Sequence, residues 1–193
     1  MLYRLYNWTM GLAAHRHALW ALAAVAFIES SVFPIPPDVL IIPMVLAAPR
    51  RAWAIAAVAM VASVLGGLLG YGIGALLFET VGRPILEVYG YMDKFEQFQQ
   101  RFAEWGAWIV AAAGFTPFPY KVITIASGVA GLDLTVFMVA SAASRAARFF
   151  LVAALLWWFG PPIRLFIEKN LPMLTAVFFI LLFGGFVAAR YLL

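Results

Sequence analysis

Long uncharged stretches separated by short polar breaks organise this chain. A helix that crosses a bilayer needs roughly 20 consecutive apolar residues, whereas runs of about 10–14 suit re-entrant or buried segments. Residues 52–78 carry no charge and predict a spanning helix. Residues 134–160 predict a second, although they include Arg145 and Arg148, and 171–189 predict a third. Two regions behave differently. The apolar run 18–28 ends at Glu29, passes Ser30, Ser31, Pro34, Pro36, Pro37 and Asp38, and resumes over 39–49. Farther on, 105–114 leads into Phe-Thr-Pro-Phe-Pro-Tyr-Lys at 115–121, followed by the apolar run 122–132. Each of these runs is about half a membrane long.

Proline lacks an N–H and clashes with the preceding turn. Pro34, Pro36 and Pro37 therefore stop one helix, and Pro117 and Pro119 stop another. Non-helical backbone at membrane depth survives only when buried in protein or lining a wet cavity. Two re-entrant hairpins whose tips meet inside the bilayer fit this best; one proline-kinked span at each place is the competing reading. Between them, in 84–104, Met92, Phe95, Phe98 and Phe102 step by three and four, while Asp93, Lys94, Glu96, Gln97, Gln100 and Arg101 fill the other face. That pattern predicts an amphipathic helix in the interface plane. Leu2, Leu5, Trp8 and Leu12 give a shorter version at the N-terminus.

A shift of 83 residues places Pro34 on Pro117, Pro36 on Pro119 and Asp38 on Lys121. Matched Ala or Val would mean little in so apolar a chain, but a paired Pro-x-Pro between matching half-length segments is distinctive. The expected fold is an all-α integral membrane protein of one domain, 1–193. It is an inverted repeat of amphipathic helix, re-entrant hairpin and transmembrane helix (about 1–80 and 84–160), plus a C-terminal transmembrane helix at 171–190. One span between the hairpins makes them enter from opposite faces, as in transporters whose interrupted segments mark the substrate site. Opposite charges at the matched positions Asp38 and Lys121 are expected to lie close together or to share a cavity.

Composition agrees. The chain is 65% hydrophobic and 11% charged, against about 45–50% and 25% in soluble domains, and a short chain cannot hide that much apolar surface from water. Tyr3, Tyr6, Trp8, His15, Arg16 and His17 interrupt any cleavable signal core. With no cysteine, thiol chemistry and thiolate metal sites are excluded. His15 and His17, two apart, do not share a helix face and make no metal pair. There is no Ser/His/Asp set, no H-E-x-x-H and no P-loop, so no enzyme activity, cofactor, metal site or nucleic-acid partner is expected.

Glu29, Asp38, Lys121, Arg145 and Arg148 lie inside or beside apolar segments. Inserting such an ion costs at least about 2.5–3.5 kcal/mol, so these residues pair and mark pathways or relays. Two arginines one turn apart and a lysine suit a phosphate headgroup, because guanidinium binds phosphate through two donors. Glu29 and Asp38 can neutralise those cations or carry a proton. A purely structural ion-pair cluster is the bland alternative. Gly66, Gly70 and Gly74 form a stripe that lets another helix approach closely.

Around the hairpins the sequence resembles the DedA superfamily, whose shared module is the VTT domain, and within it the short YqaA-type branch. The resemblance rests on Glu29-Ser-Ser, Pro34-Ile-Pro-Pro-Asp38, the glycine-rich Gly66 to Gly74, Gly114-Phe-Thr-Pro-Phe-Pro-Tyr-Lys121 through Gly128, and Arg145 with Arg148. It implies lipid movement across a bacterial cytoplasmic (inner) membrane: a flippase or scramblase for an anionic lipid such as undecaprenyl phosphate or a phospholipid, with or without proton coupling. The family's acidic pair maps onto Glu29 and Asp38. Many members carry Arg where this chain has Phe115, so either Arg145 or Arg148 replaces that charge or the substrate differs. A small-solute or ion transporter and a non-transporting scaffold are the rival functions, and a homo-oligomer is compatible with all three. By the positive-inside rule, Arg4, Arg16, Arg50, Arg51, Arg164 and Lys169 place the N-terminus in the cytoplasm, with Arg83, Lys94, Arg101 and Arg190 opposite.

Overall fold

The computed structural model describes residues 17–31, 36–90, 92–116 and 118–192, with side chains at 85, 89, 94 and most positions beyond 160 outside that description. The expected N-terminal amphipathic stretch, Pro34 and Pro117 fall outside the described residues. Helix dominates throughout, and no strand occurs among the described residues. In order these are α1 (Ala18–Ser31), α2 (Asp38–Ala47), a 3-10 turn (Pro49–Arg51) and α3 (Ala52–Leu77). A π turn (Phe78–Gly82) leads into α4 (Arg83–Tyr89), followed by α5 (Met92–Phe115), α6 (Tyr120–Ala130) and α7 (Leu134–Leu192).

Among the described residues, two stretches are long and apolar enough to cross a membrane, Pro49–Gly82 and Leu134–Gly160. Non-helical backbone at Phe159 and Asn170 breaks α7 twice, and the last helical stretch follows Asn170. By contrast α1, α2 and α6 have 14, 10 and 11 residues. At 1.5 Å per residue they reach about 15–21 Å, short of a hydrocarbon core of about 30 Å. The prolines mark the starts of the second arms. Pro37 precedes α2 with φ −63° and Pro119 precedes α6 with φ −61°. A helix start tolerates proline because the missing N–H would have no intrahelical partner there.

The amphipathic segment departs from expectation. It is not a separate interfacial helix over 84–104, because the break lies at Gly90, whose φ of 68° ends α4 in the left-handed conformation. From Met92 the chain runs unbroken to Phe115, so the amphipathic turns and the first arm of the second hairpin form one helix. Nothing between them stops a helix. Gly106 is buried, and a Cβ there would press on the Leu132 side chain. Phe95, Phe98 and Phe102 form a ring ladder that continues onto Phe78, which anchors this polar-faced helix to the end of the first span.

The arms of each hairpin pack mainly on different spans: α1 on α3 but α2 on α7, α5 on α7 but α6 on α3. The glycine stripe makes this possible. A Cβ at Gly66 would overlap the backbone carbonyl of Phe27 in α1, and one at Gly74 would overlap that of Ile125 in α6. Gly128 of α6 meets the Tyr71 carbonyl of α3 just as closely. One apolar cluster gathers Leu22, Ile41, Val45, Ile55 and Phe149; a second gathers Val110, Ile123, Leu132 and Phe137. Ser30, Ser63, Thr124, Ser127, Ser141 and Arg145 are also buried, a polar belt in an otherwise apolar interior.

The stripe can be tested against a neighbour on the same helix. Gly66→Ala is expected to destabilise by about 1–3 kcal/mol, the usual cost of overpacking, because only backbone could move. Gly72→Ala, with nothing within 4 Å of the added carbon, is expected to be neutral or to stabilise by up to about 1 kcal/mol through helix propensity. Unfolding midpoints in detergent compare the two; equal effects would remove the packing role of the stripe.

Candidate functional site

Ser141, Ser144, Arg145 and Arg148 recur at three- and four-residue steps, so they occupy one face of α7. That face meets both hairpin tips. Arg145 donates from Nε to Ser63 Oγ of α3 at 2.6 Å and from Nη2 to Glu29 Oε2 of α1 at 2.7 Å. Ser30 and Ser63 share a 2.6 Å hydrogen bond, and Ser30 Oγ also donates to Glu29 at 3.1 Å. The guanidinium lies between two rings, 4.6 Å from the Tyr120 centroid and 4.8 Å from that of Phe149. The cation is thus paired, hydrogen-bonded and held between two π faces, which is what burial of a charge demands. Glu29 stands in the last turn of α1, where the helix dipole opposes an anion; Arg145 supplies the compensating charge.

Arg148, one turn on, holds the other two tip segments. Its Nη2 donates to Asp38 Oδ2 at 2.6 Å, and its Nη1 donates to the Thr116 carbonyl at 2.6 Å and the Phe115 carbonyl at 3.4 Å. The last carbonyls of a helix lack partners within it, so this guanidinium caps α5. Asp38 opens α2, where the positive end of the dipole favours an anion. Thr124 Oγ1 of α6 donates to the Ser30 carbonyl of α1 at 3.2 Å, joining the hairpins directly.

Two ion pairs of the same chemistry therefore sit in different surroundings. The Arg145 side chain is 3% exposed and its partner Glu29 15%, against 19% and 20% for Arg148 and Asp38. One pair is enclosed, and the other reaches the surface of the tip region. Of the residues singled out in the sequence, Glu29, Asp38, Arg145 and Arg148 are brought together. Asp38, expected beside Lys121, is held by Arg148; Lys121 lies partly buried in the first turn of α6 with interactions of its own. Pro36, Pro37 and Pro119 border the tips, and Gly66, Gly70 and Gly74 seat the arms against α3. The positions missed in the sequence are Ser63, Tyr120 and Thr124. Ser63 gave a signal, since it and Tyr71 are the polar side chains within α3. Tyr120 stood within the 114–121 motif without a role of its own, and Thr124 gave no signal, because their roles depend on which helix α6 lands against.

This arrangement spans the stretch that matches a known family model. The VTT domain model matches residues 35–157, from the start of α2 to near the end of the second span. The chain belongs to the VTT domain family. Its relatives include an uncharacterized protein of Haemophilus influenzae, 38% identical over 170 residues and covering 88% of each chain. Another, from Histophilus somni and named an uncharacterized homolog of HI0703, is 43% identical over 156 residues, 81% of each chain. No solved structure matches the chain. As a VTT domain protein it is a membrane protein of the DedA superfamily, and its apolar helices fit that assignment. The match begins after α1, so Glu29 lies outside the matched stretch while its partner Arg145 lies within it.

The unequal exposure has a measurable consequence. Removing one partner of an enclosed ion pair costs about 3–5 kcal/mol, because the other charge is left buried. Arg145→Gln and Glu29→Gln are expected to approach that loss in chemical unfolding. Arg148→Gln, at the more exposed pair, is expected to lose less, about 1–3 kcal/mol. Similar losses for Arg145→Gln and Arg148→Gln would mean that the two pairs are equivalent.

Proposed function

We propose that this VTT domain protein moves an anionic lipid, a phospholipid or a polyprenyl phosphate, between the leaflets of a bacterial cytoplasmic membrane, as a flippase or scramblase. The observation that carries this reading is the Asp38–Arg148 pair: a partly exposed guanidinium at the meeting point of two broken helices, neutralised by an internal carboxylate. Arg148 is the cation that a phosphate headgroup contacts, and Asp38 is the anion it displaces. The enclosed Arg145–Glu29 pair, neutral as a unit, holds the tips in register. The relatives are uncharacterized and lend no activity, so the reading rests on this site and on the family's membrane character.

The inverted repeat belongs to the same proposal. What supports it is the exchange of packing partners: first arm on own span and second arm on the other repeat's span, in both halves. A two-fold axis in the membrane plane would produce that pattern, and it sets the site at the repeat interface near the midplane. The Arg148 guanidinium meets the carbonyl of residue 115, where the resemblance to the DedA superfamily implies an arginine side chain in many members. This favours replacement of that charge over loss of it.

Topology is the first test. Introduced cysteines at Arg51 and Lys94 stand in a chain that has none, and they are expected to label from opposite sides, with residue 51 cytoplasmic. Labelling from one side would sink the opposed hairpins. Transport is the second. In proteoliposomes, Arg148→Gln is expected to lower lipid translocation at least tenfold while the protein stays folded, since a two-donor contact to phosphate is lost. Asp38→Asn is expected to keep lipid binding while altering gating or its dependence on pH. Normal translocation by both would reduce the charges to a scaffold. Uptake of small anions without lipid movement would favour the solute transporter instead.

A further inference from the structure

Both spans outrun the bilayer they cross. Pro49–Gly82 has 34 residues and Leu134–Gly160 has 27, about 50 and 40 Å at 1.5 Å per residue, against a hydrocarbon core of about 30 Å. Apolar length therefore leaves the depth of the protein open, and side chains at the span ends have to set it. The two ends of the first span differ. Arg50 and Arg51, in the turn before α3, are exposed, and no ion pair among the described residues engages either one. At the far end Arg83 is held by Glu79 and Glu87, at 3.8 and 3.2 Å. The described carboxylates stand at the hairpin tips or around the far ends of the spans, so none of them offsets Arg50 and Arg51. Beside these cations lies a shelf of rings. The turn packs on α7, and Trp53 meets Phe150 and Trp157 of α7 with centroids 6.1 Å apart in each case. Trp53 and Trp157 are half-exposed, and Trp158 and Trp20 more so. Trp20 belongs to the same end, because Ala18 and Leu22 of α1 pack with Ala52 and Ile55 of α3.

We propose that this end is a docking surface for an anionic phospholipid leaflet: Arg50 and Arg51 take the phosphates of negatively charged headgroups, and Trp53 and Trp157 lie at the boundary between headgroups and acyl chains. Indoles favour that level, where one part of the ring is in contact with chains and its N–H is in reach of polar groups. An unpaired guanidinium next to it is attracted to a negative surface and binds phosphate through two donors. A zwitterionic headgroup offers less, since its own cation repels the arginines. The surface is separate from the hairpin tips. Asp38 opens α2 and the arginine turn follows the end of that helix, 10 residues on, about 15 Å along the axis. The docking is therefore independent of what the protein moves at Arg148.

The test titrates the full chain in detergent with phosphatidylglycerol and, in parallel, phosphatidylcholine, and counts bound lipid by native mass spectrometry. The unsubstituted chain is expected to prefer phosphatidylglycerol. Arg50→Gln or Arg51→Gln alone is expected to lower that preference about fivefold, and the two together at least tenfold. Lysine at both positions is expected to keep most of it, and Arg83→Gln, at the paired end, all of it. The same losses are expected in the Arg148→Gln background, where lipid bound at the tips no longer contributes. No preference in the unsubstituted chain, or an unchanged one in the double variant, would overturn the proposal. So would an equal loss in Arg83→Gln, which would reduce the effect to net charge. Displacement of the lipid by an equal concentration of soluble glycerol phosphate would also overturn it, because the patch would then hold a free anion rather than a leaflet.

Discussion

Everything near the middle of this molecule depends on the cost of an arginine in an apolar interior. Arg145 stands on a helix long and apolar enough to span a bilayer, where a lone guanidinium is expelled or drags in water. Its position is tolerable only if α1 delivers Glu29 and Ser30, α3 delivers Ser63 and α6 delivers Tyr120 to one place. Four helices are thus tied by one charge. Satisfying it fixes how deep the first hairpin reaches and how the second lies against it, so the tips are specified electrostatically while the arms are held by shape.

The shape half of that statement rests on small residues. Hydrophobic burial drives helices together weakly in lipid, since the tails are as apolar as the side chains. Close approach of backbones, with dense van der Waals contact, has to do the holding. The first span carries glycine at the levels where α1 and α6 cross it, and at Gly66 and Gly74 the contacting atoms are backbone carbonyls. Short arms also leave unpaired carbonyls at their ends, and the fold answers with side chains: Arg148 on Phe115 and Thr116, Thr124 on Ser30. Broken helices and buried charges are two halves of one arrangement, each satisfying what the other leaves open.

How much of this the sequence discloses follows from the range of each signal. Proline clusters and run lengths are local, and they placed the ends of α1, α2 and α6 to within a few residues. Out-of-place charges are local too, so Glu29, Asp38, Arg145 and Arg148 stood out before any pairing was known. Pairing is not local. That Asp38 pairs with Arg148 follows from the packing of α2 on α7, a fact of assembly. The boundary between α4 and α5 failed for a different reason. A change of pattern from amphipathic to apolar looks like the end of an element, but a helix stops only where the backbone is broken, and the break was at Gly90.

The two ion pairs also constrain any mechanism that works through them. Nη1 and Nη2 of Arg148 already hold a carboxylate and two carbonyls, so an incoming anion finds a cation that is engaged rather than waiting. Stripping that cation bare inside the protein would cost several kcal/mol, whereas trading one oxygen anion for another keeps it solvated by protein throughout. Exchange is therefore the cheap route. It also limits what the site can accept, because a displacing group must offer a charge comparable to Asp38 and at least two acceptor oxygens. A neutral headgroup fails on the first count, and a halide on the second. Under the proposed function, selection would come from competition with the site's own carboxylate, and the ligand need be no tighter than the residue it replaces.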